Sequence, residues 1–184
     1  MTAKQKHKYA MVIDTRKCVG CGNCVVGCKM ENRVPEGLHR DWVVEEVHGT
    51  YPNISVELRS ERCNHCINPP CVYACPTGAS HVKSGQNITL VDRDKCTGCK
   101  ACIAACPYDV RFIMPEGYVG KCTFCDHRVE QGLDPACVSV CPTHCMHFGD
   151  LNNPLSKVSK LLASRKYKLL APEAGTGPQL YFLL

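Results

Sequence analysis

The chain has 184 residues, 45% of them apolar when 17 cysteines are counted in, and a formal charge of +5. That length suits one domain or two small ones, but without the cysteines its supply of core side chains is thin, so bound groups must serve as much of the core. No stretch approaches the ~18 apolar residues of a membrane span, and no basic stripe interleaved with aromatics points to nucleic acid.

The N-terminus, MTAKQKHKYAM, has lysines but no apolar signal core and no twin-arginine pair, so the chain is expected to be soluble by itself, without an export address of its own. Tyr9 to Asp14 (YAMVID) is expected to be a short strand leading into Cys18, Cys21, Cys24 and Cys28. The spacing C-x2-C-x2-C-x3-C puts three thiolates on one tight loop, able to wrap three corners of a cubane iron–sulfur cluster. In two-cluster ferredoxins the fourth thiolate ligates the other cluster. Gly20 and Gly22 let the backbone approach such a cluster. Lys29 follows Cys28 where the other quartets have proline, and Val25 to Asn32 are expected to form a short helix, ended by the turn Pro35-Glu36-Gly37.

Trp42 to Val47 and Ile54 to Arg59 are expected as strands around a turn at HGTYPN. Ile54, Val56 and Leu58 alternate with polar residues as in a half-buried strand, and Trp42, the only tryptophan, serves as a packing anchor. The second quartet is Cys63, Cys66, Cys71 and Cys75, followed by Pro76. SHVK and NITLVD around Gly85 form a β-hairpin. The third quartet is Cys96, Cys99, Cys102 and Cys106, followed by Pro107, and the fourth is Cys122, Cys125, Cys137 and Cys141, followed by Pro142.

Sixteen of the seventeen cysteines are thereby used. Quartet, hairpin, quartet is the order of a two-cluster ferredoxin, and it is complete between Arg62 and Phe112. The first and fourth quartets then pair with each other. The expected fold is α+β: two ferredoxin-like modules related by an internal repeat, the second inserted in the first. The outer module is 1–60 plus 113–150, the inner one is 61–112, and a C-terminal helix and tail fill 151–184. The eleven residues DHRVEQGLDPA inside the fourth quartet form a loop, either a partner contact or a family-specific surface feature. Asn153 caps a helix with Pro154 in its first position and Leu155, Val158, Leu161 and Leu162 on one face. Residues 171–179 are a loop, and LYFLL is either a strand packed on its own module or a tail docked on a partner.

Four cubanes change the charge account. Sixteen thiolates against four oxidised cores of about +8 bring the loaded chain to roughly −3. A disulfide scaffold is disfavoured by the odd cysteine count, the lack of a signal peptide and the tightly spaced triplets. Structural zinc sites pair two C-x2-C knuckles and would leave each third cysteine without a role. Cys145 is expected as a buried thiol beside the cluster held by Cys141. His65, His127, His144 and His147 lie near cysteines but are not needed as ligands, and Lys29, Arg62, Arg111 and Lys121 flank ligands and can raise cluster potentials. No nucleophile–base pair, phosphate loop or dinucleotide fingerprint is present, so the chain is not expected to be an enzyme itself.

The segments CVGCGNCVVGCKMENRVPEG, CNHCINPPCVYACPTGAS, DKCTGCKACIAACPYDVRF and KCTFCDHRVEQGLDPACVSVCPTHCMHFGDLNNP together resemble the four-cluster electron-transfer subunit of respiratory molybdoenzymes, most closely the polysulfide and thiosulfate reductase branch. The resemblance runs from Tyr9 to Phe182 and implies four [4Fe–4S] clusters. Their implied ligands are Cys18, Cys21, Cys24 and Cys141; Cys122, Cys125, Cys137 and Cys28; Cys63, Cys66, Cys71 and Cys106; and Cys96, Cys99, Cys102 and Cys75. Cys99 stands where some relatives carry tryptophan and a three-iron cluster. The resemblance further implies a relay between an integral membrane quinol-oxidising subunit and a molybdopterin catalytic subunit. It also implies membrane association through those partners, on the outer face after co-export or, alternatively, on the cytoplasmic face. Rival readings are the same relay in a hydrogenase or formate-linked complex, a free polyferredoxin, and a zinc-organised interaction module.

Overall fold

The first strand lies inside the sheet that organises the chain. In the computed structural model, which describes residues 6–184, β1 (Tyr9–Asp14) is followed by α1 (Asn23–Asn32), β2 (Asp41–Thr50), β3 (Asn53–Arg62), α2 (Pro70–Tyr73), β4 (Ser80–Val82) and β5 (Thr89–Val91). Then come α3 (Ala101–Ala104), β6 (Phe112–Ile113), β7 (Val119–Gly120), α4 (Asp126–Val129), α5 (Ala136–Ser139), β8 (Met146–Asp150), α6 (Lys157–Ser164), β9 (Tyr167–Lys168) and β10 (Leu180–Leu183). It is a mixed fold of short helices and strands. The N-terminal leader reading rests in part on residues 1–5, outside the described residues.

The four-stranded sheet runs β8-β1-β10-β9, with β10 parallel and β8 antiparallel to β1. LYFLL is therefore a strand of its own chain, with Leu180 opposite Met11. Alternation along β1 divides two apolar clusters. Ala10 and Val12 meet Val158, Tyr181 and Leu183 beneath α6, while Met11 and Ile13 face the side that holds Cys24, Cys63, Cys122 and Cys137. One face of the sheet is an ordinary core; the other is lined with thiols.

The four quartets share one backbone plan. The residue before the second cysteine has positive φ in each: Gly20 (67°), His65 (42°), Gly98 (66°) and Phe124 (53°). Only two of the four are glycine, the residue for which this region is free of strain. Proline after the fourth cysteine disfavours helix at that cysteine. Accordingly α2, α3 and α5 are four residues each, whereas α1, with Lys29 in place of proline, runs for ten. α1 packs against α5, and α2 against α3.

Two expectations are corrected. The β2–β3 hairpin is longer than its apolar pattern suggested, pairing Asp41 with Arg62 and Thr50 with Asn53, and its turn is correspondingly tighter. Its outer half is not half-buried: Val47, Ile54 and Val56 are 58%, 52% and 53% exposed, because the hairpin runs beyond the body. Only nearer the base does Leu58 pack, over Gly20. The C-terminal helix is capped by Ser156, whose hydroxyl accepts the Ser159 N–H at 3.2 Å, and not by Asn153. Asn153 accepts instead from Leu155 N–H at 2.9 Å, which closes a turn ahead of the helix and leaves Leu155 exposed. Val158, Leu161 and Leu162 pack as expected, and Trp42 packs on the thiol-lined cluster as an anchor.

Candidate metal centres

Four small cavities of near-equal size each collect four motif cysteines. Cys18, Cys21, Cys24 and Cys141 line the first, and Cys28, Cys122, Cys125 and Cys137 the second. Cys63, Cys66, Cys71 and Cys106 line the third, and Cys75, Cys96, Cys99 and Cys102 the fourth. These are the four sets implied by the resemblance. Each cavity takes three thiols from one motif and one from its partner motif.

Exposure is graded along the set. All four thiols of the second cavity are buried, as are three of the third, whereas the first and fourth each present one exposed cysteine, Cys21 and Cys99. The turns aim main-chain N–H groups at sulfur. Ser80 donates to Cys75 Sγ (3.3 Å), Phe124 to Cys122 Sγ (3.4 Å) and Val119 to Cys96 Sγ (3.5 Å). Such bonds favour a charged sulfur over a neutral one.

The buried cations test whether these residues suit a metal-bound state. Arg62 and Lys121 are almost fully buried and Arg111 nearly so, a cost several kcal/mol deep unless countercharge is supplied. Arg62 reaches Asp41 at 3.0 Å and donates from Nη1 to Cys137 Sγ at 2.7 Å. Arg111 donates from Nη2 to Cys71 Sγ at 2.7 Å and to Ser80 Oγ at 3.1 Å. Lys121 donates to the carbonyls of Thr89 and Cys122. Among the described residues neither Arg111 nor Lys121 has a carboxylate in salt-bridge contact. Thiolates are the countercharge at hand. As free thiols the same cysteines are poorly placed: burial pushes Cys66 and Cys122 up to about 11 and Cys137 up to about 12. A bound metal reverses this preference, since coordination requires the thiolate. The donor set fits.

None of the four histidines near the motifs lines one of the four cysteine cavities. His65 is buried, stacked on Phe124 at 3.7 Å between centroids, and accepts the Thr89 N–H at 3.1 Å; His127 pairs with Glu31 at 2.7 Å. Lys29 turns away to the Pro35 carbonyl, 3.1 Å from Nζ. Cys145 does line the first cavity, its sulfur 3.4 Å from that of Cys141. Sequence reasoning missed Asp41, Ser60, Ser80 and Asn32. Ser60 bonds to Asp41 and Arg62, and its Oγ lies 3.6 Å from Cys24 Sγ. The Asn32 amide lies 3.6 Å from Cys28 Sγ and 3.5 Å from Cys125 Sγ. For Asn32 a signal existed: it is four residues after Cys28, on the same helical face. A surface groove bordered by Arg33, Arg93 and Tyr118 has no cysteine in its lining.

Comparison with known proteins agrees with this chemistry. The chain matches the 4Fe-4S dicluster domain over residues 54–151, and a second 4Fe-4S dicluster domain over residues 17–79. It is 37% identical to the arsenate respiratory reductase iron-sulfur subunit of Shewanella sp. (strain ANA-3), covering 96% of each chain. It is 42% identical to a tetrathionate reductase subunit of Salmonella typhimurium, over 97% of this chain and 73% of that one. A putative dimethyl sulfoxide reductase iron-sulfur subunit of Halobacterium salinarum is 39% identical, over 95% and 78%. Two dicluster domains account for four [4Fe–4S] clusters.

Proposed function

Because this chain belongs to the 4Fe-4S dicluster iron–sulfur subunits of reductases, electron carriers that are not themselves catalytic, we propose that it is a linear four-cluster relay. In this reading the cysteines of each cavity are the ligands of one cluster: Cys18, Cys21, Cys24 and Cys141; Cys28, Cys122, Cys125 and Cys137; Cys63, Cys66, Cys71 and Cys106; Cys75, Cys96, Cys99 and Cys102. The observation that carries it is the exposure gradient: all four thiols of the second cavity and three of the third are buried, while the first and fourth each present one exposed cysteine. Electrons then exchange with partners at the two ends only. When bound, the clusters supply one-electron redox chemistry. The chain's own residues position them, exclude water from the middle pair and set the local charge.

The cysteine sets also favour two nested modules, since the first two cavities draw only on the first and fourth motifs and the other two only on the second and third. The partners we propose are a molybdopterin catalytic subunit at the first-cluster end and a quinol-oxidising membrane subunit at the fourth. No helix among the described residues is long and apolar enough to cross a membrane. In this reading the chain attaches through the membrane partner, on the outer face, with the cytoplasmic face the alternative. For the terminal acceptor we propose a sulfur compound of the polysulfide or thiosulfate class, a reading supported by the motif resemblance.

The test is metal analysis of the complex purified anaerobically from its own cells. The expected result is about 16 irons per chain together with molybdenum or tungsten and sulfur-compound reductase activity. Iron at that level with no second metal and no partner makes the chain a free polyferredoxin. Nickel or formate activity moves it to a hydrogenase or formate-linked complex, and zinc in place of iron overturns the reading.

A further inference from the structure

Three buried cations fall one to each gap between successive cavities. Between the first and second, Arg62 donates to Cys137 Sγ at 2.7 Å, and through Ser60 it reaches Cys24, 3.6 Å from Ser60 Oγ. Between the third and fourth, Arg111 donates to Cys71 Sγ at 2.7 Å and to Ser80 Oγ at 3.1 Å, while Ser80 N–H donates to Cys75 Sγ at 3.3 Å. Between the second and third lies Lys121. Its ammonium is held by the carbonyls of Cys122, a second-cavity residue, and of Thr89, which borders the third cavity and follows Ile88 on the same buried cluster as Cys63. Arg62 and Lys121 occupy equivalent places, each directly before the first cysteine of its motif, and each crosses to the other half of the chain.

We propose that Arg62, Lys121 and Arg111 are positioning residues for electron transfer, each a fixed positive charge shared by the two clusters on either side of its gap. This rests on the ligand sets proposed above. A cluster that takes up one electron gains one negative charge, and a buried cation beside it favours that reduced form. Each cluster accepts one electron and passes one on. No bond forms or breaks and the cation moves no proton. Because a cation sits in the gap, an electron crossing it stays beside the same positive charge on both sides, and the step between neighbouring potentials is kept small.

The sharing pattern supplies a test that needs no prior assignment of signals. In the complete complex, Arg62→Gln, Lys121→Gln and Arg111→Gln are each titrated electrochemically with EPR detection. Each is expected to lower two of the four reduction steps by at least tenfold in equilibrium constant, about 59 mV for one electron. The Arg62 and Arg111 variants share no shifted step, and the Lys121 variant shares one with each. Arg62→Lys, Lys121→Arg and Arg111→Lys keep the charge and the potentials. A glutamine variant that loses iron while its charged counterpart stays loaded also supports the proposal. It is overturned if both members of a pair lose iron, if both shift potentials alike, if the shifts spread over all four steps, or if none moves. Wild-type complex with well under about 16 irons refutes the ligand sets themselves, whatever the variants do.

Discussion

The two halves of the molecule hold cysteines in the same way and are supported differently. The half that supplies the first two cavities is backed by the β8-β1-β10-β9 sheet and by α6, with an apolar cluster of Ala10, Val12, Val158, Tyr181 and Leu183 that contains no cysteine. Among the described residues, the half that supplies the third and fourth has the two-stranded ribbon β4–β5 and shares β6–β7; Ile88 and Val110 join the main cluster, and Cys71 and Cys102 form a smaller one with Val119. Isolated hairpins are marginal in water. With less sheet behind it, the half that supplies the third and fourth cavities is expected to depend more on bound metal, and the half backed by the four-stranded sheet on metal and conventional packing together.

Iron removal should separate the halves most strongly. Anaerobic chelation is expected to abolish the cooperative thermal transition and to leave whatever hydrogen-exchange protection survives on β1 and β10, with none between residues 62 and 112. A cooperative transition in iron-free protein would break the comparison. Next in size is loss of one ligand from the inner half. Cys71→Ser should take iron from about 16 to about 12 per chain and stop electron flow between the ends, read by reduction of one terminal cluster from the other. Cys145→Ala, at the first cavity but outside the four ligands, should leave the iron count unchanged; a loss of four irons there would make Cys145 a ligand.

Smaller effects sharpen the claim that the outer half has a core of its own. Leu180 is fully buried next to β1, and Leu180→Ala should cost about 2–5 kcal/mol. That appears as a lower thermal midpoint with the signals of the third and fourth clusters intact at room temperature. Equal damage to all four clusters would show that the halves do not differ as described. Smallest is Ser156→Ala, which removes the α6 cap and should cost about 1 kcal/mol, measured by thermal unfolding of the loaded protein. No change there would mean that α6 is held by Val158 alone.

The number and kind of the metal groups were legible in the sequence because ligand spacing is largely local: three thiols fall within seven residues in the first and third motifs and nine in the second, and only the fourth is stretched by an insertion between its second and third cysteines. The strand at Tyr9–Asp14, the hairpin around Gly85 and the helix after the first motif were equally local, while the three four-residue helices were not foreseen. The charges were not. Arg62, Arg111, Lys121 and Lys29 all flank cysteines, yet Arg62 and Arg111 line cavities and Lys121 is buried against the carbonyls of Thr89 and Cys122, while Lys29 is spent on a carbonyl of its own turn. Asp41 and Ser60 left no sequence signal, since their meeting with Arg62 depends on the register of the β2–β3 hairpin, Asp41 opposite Arg62. Ligand spacing is written residue by residue along the chain. Which cation faces which cluster is decided only when distant segments pack, because a charge finds its countercharge across space and not along the backbone.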